Sequence, residues 1–317
     1  MRPRFALRLL GVALLTWLAS ALYTVRWNPE IAFFRRADRL KQTWAEQLDR
    51  RFPHKVVVFG GSSCTVSIDG AGLLEHEQLP VLNLGLGAGM GAKVLTEYAL
   101  QHTRPGDTVV MAMEPPLIAA TLGVPALGVQ FCYATGDTAV LRNLEGWSWP
   151  GTAMDLRPGG YHTFTLLGKL LLHQPLYRYR QSELQPGGWH RLELQRAFVP
   201  DEPTPLALVD EDRAWLAGLR DWCHRHEVRI AYSLPWAYAP AARAEAYRRR
   251  NAAFLLQVSR YLPVLKDPRL GVYTVRTGFA DTEWHLIPAA AELRSKELAQ
   301  QVRAWQCWSP AELGNFK

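Results

Sequence analysis

Cysteine is scarce in this chain. There are four, Cys64, Cys132, Cys223 and Cys307, and no two stand in Cys-x-x-Cys spacing. That argues against a zinc site or a thioredoxin-like motif. Disulfides stay open in an oxidising compartment, with no pair singled out. Long charged tails, low-complexity tracts and internal repeats are also missing. With 48% apolar residues, this points to a folded body of one large or two small domains. The net charge is +7, but no zinc-finger or RNP-type motif accompanies it, so nucleic acid is not the expected partner. An anionic membrane surface or an acidic polymer suits the same charge.

One apolar run approaches membrane length. Leu9 to Val25 carries no charge and follows Arg2, Arg4 and Arg8, and roughly 17–25 residues span a bilayer. Two readings compete. A signal peptide cut after Ala19-Ser20-Ala21 fits the small-x-small rule. An uncut anchor with its N-terminus in the cytoplasm fits the basic flank, although Arg26, Arg35 and Arg36 follow the run. A buried core helix is the third alternative. The anchor is the reading carried forward, and both main readings place the rest of the chain outside the cytoplasm.

Beyond it, residues 28–52 read as an amphipathic helix ending near Pro53. Short apolar runs then alternate with helical patterns. Strands are expected at 55–60, 79–85, 106–114, 228–235 and 271–276, and helices over "GAKVLTEYALQHT", "EDRAWLAGLRDWCHRH" and "AARAEAYRRRNAAFLLQVSRYL". Such alternation implies a parallel sheet covered on both faces, which binds ligands beyond the C-terminal ends of its strands. The alternation breaks down over about 115–205, a stretch rich in Gly, Pro, Trp and Tyr that reads as an insertion with two helices of its own. Within it, 163–180 is either a basic amphipathic helix on a membrane surface or an ordinary helix packed on the sheet domain, the second being preferred. The expected organisation is an N-terminal segment 1–27 followed by an α/β domain over 28–317.

The chemistry-bearing stretch is Gly60-Gly61-Ser62-Ser63-Cys64 at the end of the first strand. Two glycines permit a sharp turn through positive φ. The serine that follows then projects among free backbone N–H groups, the geometry of a nucleophile beside an oxyanion hole. A purely structural Gly-Gly-Ser turn reads equally well. Cys64 stands where the Gly-x-Ser-x-Gly elbow would need glycine, and a catalytic thiol there is disfavoured. A serine needs a base. His285, four residues after Asp281 and just before a helix opened by Pro288, is the best candidate, with Asp281 orienting it. The other eight histidines read as surface or packing residues.

Together "VFGGSSCTVSIDG", "PVLNLGLGAGMG", "RPGDTVVMAMEPP" and "FADTEWHL" resemble the SGNH, or GDSL-like, hydrolase superfamily over roughly residues 53–305. Within it they are similar to a bacterial membrane-anchored branch whose members acylate or deacylate cell-envelope polysaccharide. The resemblance implies a flavodoxin-like three-layer α/β/α sandwich with a five-stranded parallel sheet. It makes Ser62 the nucleophile, with Gly61 in its turn and Ser63 as the adjacent alternative. Gly87 or Gly89 becomes a backbone oxyanion donor, or a glycine that lets a helix pack close. Two departures stand out. Glu114 occupies the place of the usual Asn donor, and an ionised carboxylate only accepts; it becomes either a binder of substrate hydroxyls or a strand-end cap. Asp281 and His285 are one residue further apart than in most members.

The expected function is therefore an extracytoplasmic serine esterase or O-acyltransferase on ester-linked acyl groups of envelope carbohydrate, with acetyl the expected acyl group. It sits on the inner membrane, or is secreted if the leader is cut, and needs no metal or cofactor. Two other classes compete: a non-catalytic envelope assembly protein and a membrane-peripheral lipid esterase. Trp147, Trp149, Trp189, Trp236 and Trp284 fall near strand ends. Most are read as core or interface residues, and Trp284 as a border of the site.

Overall fold

The computed structural model describes residues 3–119, 123–144, 148–156 and 160–306. It opens with two long helices, α1 (Pro3–Arg26) and α2 (Pro29–Arg51). Asn28 caps α2, its side chain accepting the Glu30 N–H at 3.0 Å. Then come β1 (Val56–Phe59), α3 (Ser62–Ser67), α4 (Gly70–Glu77), β2 (Val81–Asn83), α5 (Ala92–Leu100) and β3 (Thr108–Met111). The insertion holds α6 (Pro115–Ile118), α7 (Ala126–Thr135), α8 (Thr138–Arg142), α9 (Trp149–Asp155) and α10 (Gly160–Leu171). The chain closes with α11 (Asp210–Arg225), β4 (Arg229–Tyr232), β5 (Ala237–Tyr238), α12 (Ala244–Val258), β6 (Val272–Tyr273) and α13 (Pro288–Gln306).

The sheet is parallel, in the order β2-β1-β3-β4. Its strands alternate between two apolar layers. Val57, Phe59, Val109 and Met111 pack with residues of α2 and α5, while Val56, Val58 and Val110 pack with residues of α4 and α13. Both faces are thus covered, which explains why these strands read as continuous apolar runs. Each fully buried valine removed from water contributes ~1.5–3 kcal/mol.

The fifth strand is not where the sequence pattern put it. Val272–Tyr273 pairs instead with Ala237–Tyr238 in a separate two-stranded sheet. The place beside β4 is taken by Val264, as an isolated parallel bridge to Tyr232. The main sheet therefore has four strands. The reason is local: Pro263 precedes Val264 and cannot donate to a ladder, and the apolar run around it is too short to extend the pairing.

Two further expectations change. The apolar window of α1 is not buried, which removes the core-helix alternative. Among the described residues of the insertion five α-helices appear rather than two. The α10 helix is not packed on the sheet, since Phe164, Leu167, Leu170 and Leu171 are exposed.

Because the chain passes from β1 to β2 on one side and to β3 on the other, the switch point of the sheet lies between β1 and β3, where such sheets place their ligands. Ser62 follows β1 and Glu114 follows β3, so both candidate residues stand at that switch point.

Candidate active site

The turn after β1 is shaped by close approach. A Cβ on Gly60 would collide with the Ala112 carbonyl oxygen, and one on Gly61 with the Glu114 carboxylate. Neither glycine has positive φ, and Gly61 lies at φ −75°. Glycine is required here for want of space, not for a left-handed turn.

Ser62 is the first residue of α3 and is partly exposed. Ser63 is 1% exposed, and its hydroxyl has no partner among the described residues. Solvent contact therefore favours Ser62 over Ser63. Cys64 is buried, its Sγ lies 3.4 Å from Asn83 Oδ1, and burial pushes its thiol up to about 12. Such a thiol stays protonated and unreactive. Cys132 and Cys223 are likewise buried and free, and Cys307 lies outside the described residues.

Asp281 and His285 come from a short loop closed by an antiparallel bridge between Phe279 and Leu286, with the Ala280 N–H donating to the His285 carbonyl at 2.8 Å. Nδ1 of His285 lies 2.7 Å from Asp281 Oδ1, so the extra residue between them does not prevent contact. Both side chains are 5% exposed. With Nδ1–H donated to the carboxylate, Nε2 keeps its lone pair. Burial opposes ionisation of Asp281. The hydrogen bond and charge of His285, with Arg178 and Tyr179, outweigh it and bring the carboxyl down to about 2.

The loop rests on α3. Ala280 and Ile287 pack with Val66 and Leu192, and Ser295 on α13 accepts the Asp69 N–H at 2.9 Å. Trp189 and His190 bind the carbonyls at the end of α3, through Trp189 Nε1 to Val66 O at 2.7 Å and the His190 N–H to Thr65 O at 3.1 Å. These would otherwise be orphan acceptors. Among the described residues no hydrogen bond joins Ser62 to His285. The pair Asp281–His285 is assembled and the serine's helix is packed beneath it, but the last contact is open. Catalytic hydrogen bonds are commonly loose without substrate.

The second glycine block lies beside the serine turn. The Leu86 N–H donates to Gly60 O at 3.1 Å, and Thr65 Oγ1 donates to Leu86 O at 3.0 Å. Gly87 is therefore one residue from the turn, and its Cβ would strike the Phe34 ring, whereas an added Cβ on the exposed Gly89 would meet Leu127. The backbone N–H groups of Ser62 and Gly87 have no acceptor among the described residues. Gly85, which the sequence reading passed over, presses on Cys64 and the Thr65 backbone.

Glu114 is 5% exposed. Its Oε1 accepts the Ser63 N–H at 2.9 Å, and its Oε2 has no partner among the described residues. Its side chain thus caps the first turn of α3, while its backbone carbonyl accepts the Leu117 N–H at 2.9 Å as the N-cap of α6. Trp284 is partly buried, with its N–H on Thr282 Oγ1 at 3.2 Å. Trp189 and Trp236 are buried and present no face to a ligand. Trp147 lies outside the described residues, as does the side chain of Trp149.

Two partners of Asp281 were missed. The Tyr179 hydroxyl donates to Asp281 Oδ2 at 3.0 Å, and the Arg178 guanidinium lies 3.7 Å from the same oxygen and 4.8 Å over the Tyr179 ring. Burial and the Asp281 charge push the Tyr179 hydroxyl well above its ordinary value, so it remains a neutral donor. The only sequence signal is the basic-aromatic string Tyr177-Arg178-Tyr179-Arg180, which lies about a hundred positions from Asp281.

Among the described residues no cluster of three His, Cys, Asp or Glu side chains could hold a metal ion. A cavity of about 910 Å³ at the β4 edge, lined by Leu262, Val264, Gln301 and Trp305 among others, contains none of the candidate residues. Comparison with protein-family models, curated proteins and solved structures finds no match to the chain.

Proposed function

We propose that this chain is an SGNH-like serine esterase or O-acyltransferase, held to the inner membrane by α1 with the α/β domain on the extracytoplasmic side. Its substrate class is an ester-linked acyl group on envelope carbohydrate or a small ester. The observation that carries the reading is the buried Asp281–His285 pair, 2.7 Å apart, whose Nε2 has no hydrogen-bond partner among the described residues, packed over the helix that Ser62 opens.

In this mechanism Ser62 Oγ attacks the ester carbonyl while His285 Nε2 takes its proton. Asp281 holds the imidazole tautomer and offsets the imidazolium charge, and Tyr179 and Arg178 hold Asp281. The oxyanion is met by the Ser62 and Gly87 N–H groups. Collapse expels the alcohol, which receives the proton from His285, and leaves an acyl-Ser62 ester. Water or a sugar hydroxyl then attacks, again through His285, giving hydrolysis or transfer. Glu114 donates nothing to the oxyanion when ionised, and loss of one such donor costs ~10²–10³ in rate elsewhere, so a slow enzyme is expected. The Glu114 cap and the open Ser62–His285 contact are what favour the competing reading, a non-catalytic assembly protein of the same fold.

Turnover of p-nitrophenyl acetate by the full-length protein separates these readings. The enzyme reading expects hydrolysis above background that is lost in Ser62→Ala and in His285→Ala, with acetate preferred over long-chain esters. Equal rates in wild type and both variants contradict it.

A further inference from the structure

The α10 helix carries its hydrophobicity on the side that faces away from the protein. Phe164, Leu167 and Leu171 fall at i, i+3 and i+7 and are 77%, 52% and 80% exposed, with Leu170 and Leu172 beside them. Lys169, the one charged residue of the helix, points the other way. Its Nζ donates to Leu176 O at 3.3 Å, and it lies in electrostatic range of the partly buried Glu30. A helix on a water-exposed surface has the opposite arrangement. Single exposed leucines need no explanation, but a contiguous apolar set marks a surface that is covered by something.

What covers it follows from where the insertion touches α1. Trp17, in the middle of the charge-free run, donates its indole N–H to Ala153 O of α9 at 2.6 Å. Met154 beside it is exposed. Trp17 is nine residues before Arg26, which at 1.5 Å per residue places α9 ~14 Å along α1 below the domain. The hydrocarbon core is ~30 Å thick. A bilayer crossed by α1 therefore reaches α9, and α10 begins five residues after α9 ends. The rim is suited to headgroups: Arg26, Arg36 and Arg39 are exposed, and Trp27 is 61% exposed at the mouth of the run.

We propose that α9 and α10 are sunk into the leaflet facing the domain, so that the protein docks on the lipid surface through its insertion as well as through α1. This rests on the reading of α1 as a membrane helix and is independent of the serine chemistry. The docking also reaches the candidate site. From α10 the chain continues through residues 172–176 into Tyr177-Arg178-Tyr179, where the Tyr177 ring packs on Phe33 of α2 and the Tyr179 hydroxyl donates to Asp281. The Asp281–His285 pair is thus tied, through Tyr179, to the segment that follows the docked helix.

The test uses the full chain with Cys307→Ser, the other cysteines being buried, in nanodiscs of phosphatidylcholine and phosphatidylglycerol. A nitrobenzoxadiazole label is placed at Leu167→Cys, at Leu171→Cys, at Leu15→Cys on α1 and at Arg220→Cys on the exposed face of α11. Labels at 167 and 171 are expected to shift to the blue and to lose emission to doxyl-labelled lipid, as at 15 and unlike 220. Quenching at 15 with water-like emission at 167 and 171 overturns the docking and leaves the anchor. A blue shift at 167 and 171 without lipid quenching means a protein covers α10, and overturns it too. Water-like emission at all four sites removes the anchor reading along with it.

Discussion

The Asp281 carboxylate shows how much a site depends on side chains that do no chemistry. It is held well below its ordinary value despite its burial, by His285, Arg178 and Tyr179. Its contribution to stability is full above about pH 4, the usual range of an aspartate, and is lost as pH falls towards 2. Tyr179→Phe removes one donor, so the carboxyl rises, and the acid loss read in thermal melts becomes smaller and is complete at a higher pH than in the wild type. In turnover, a hydrogen bond to a charged group is worth ~1.5–3 kcal/mol. Tyr179→Phe should therefore lower kcat roughly tenfold or more with KM unchanged, and a KM effect alone would argue that Tyr179 touches substrate instead. Cys64 makes the complementary case. Its position next to the serines invites a nucleophilic role, but its buried thiol at about 12 should resist iodoacetamide at pH 8 in the folded protein and react only on unfolding. The Asp281–His285 contact was legible because an acid-histidine pair stands out just before a helix; Ser62 stands out after a Gly-Gly strand end, but no hydrogen bond among the described residues joins it to the pair. Tyr179 was not legible, because only the fold brings it across a hundred residues.

The α3 helix is the element on which the site rests, and it is six residues long. A helix this short is not stable by propensity. It is fixed at its start by Glu114 on the Ser63 N–H and at its end by Trp189 and His190. Glu114→Ala leaves that buried N–H unpaired and should cost ~1–3 kcal/mol, read as a lower midpoint in chemical denaturation. Glu114→Gln keeps an acceptor and should cost less. Gly61→Ala collides with Glu114, so the Gly61→Ala/Glu114→Ala pair should be less destabilised than the sum of the singles; strict additivity would mean the contact is not what excludes a side chain at Gly61. Strands β1 to β4 could be read from sequence because they are buried on both faces and bounded by turn residues. The run at 271–276 has the same look, but Tyr273 pairs with Tyr238, and no pattern of hydrophobicity says which edge a short strand joins. The α10 pattern was also visible, but periodicity alone does not say whether the apolar face turns to the protein or away from it.

At the scale of the whole molecule, a four-stranded doubly covered sheet has its switch point between β1 and β3, an apolar N-terminal helix stands to one side, and the insertion between β3 and β4 joins the two. The same insertion delivers Tyr179 to Asp281 at the candidate site, so the proposed docking surface and the site lie on one segment. The central claim is that Ser62 is an activated nucleophile. The most direct measurement is labelling of the full-length protein in detergent with a fluorophosphonate, followed by peptide mass spectrometry. One adduct on Ser62 is expected, absent in Ser62→Ala and in His285→Ala and retained in Ser63→Ala. A folded wild-type protein that takes no label, or an adduct on any other residue, contradicts it.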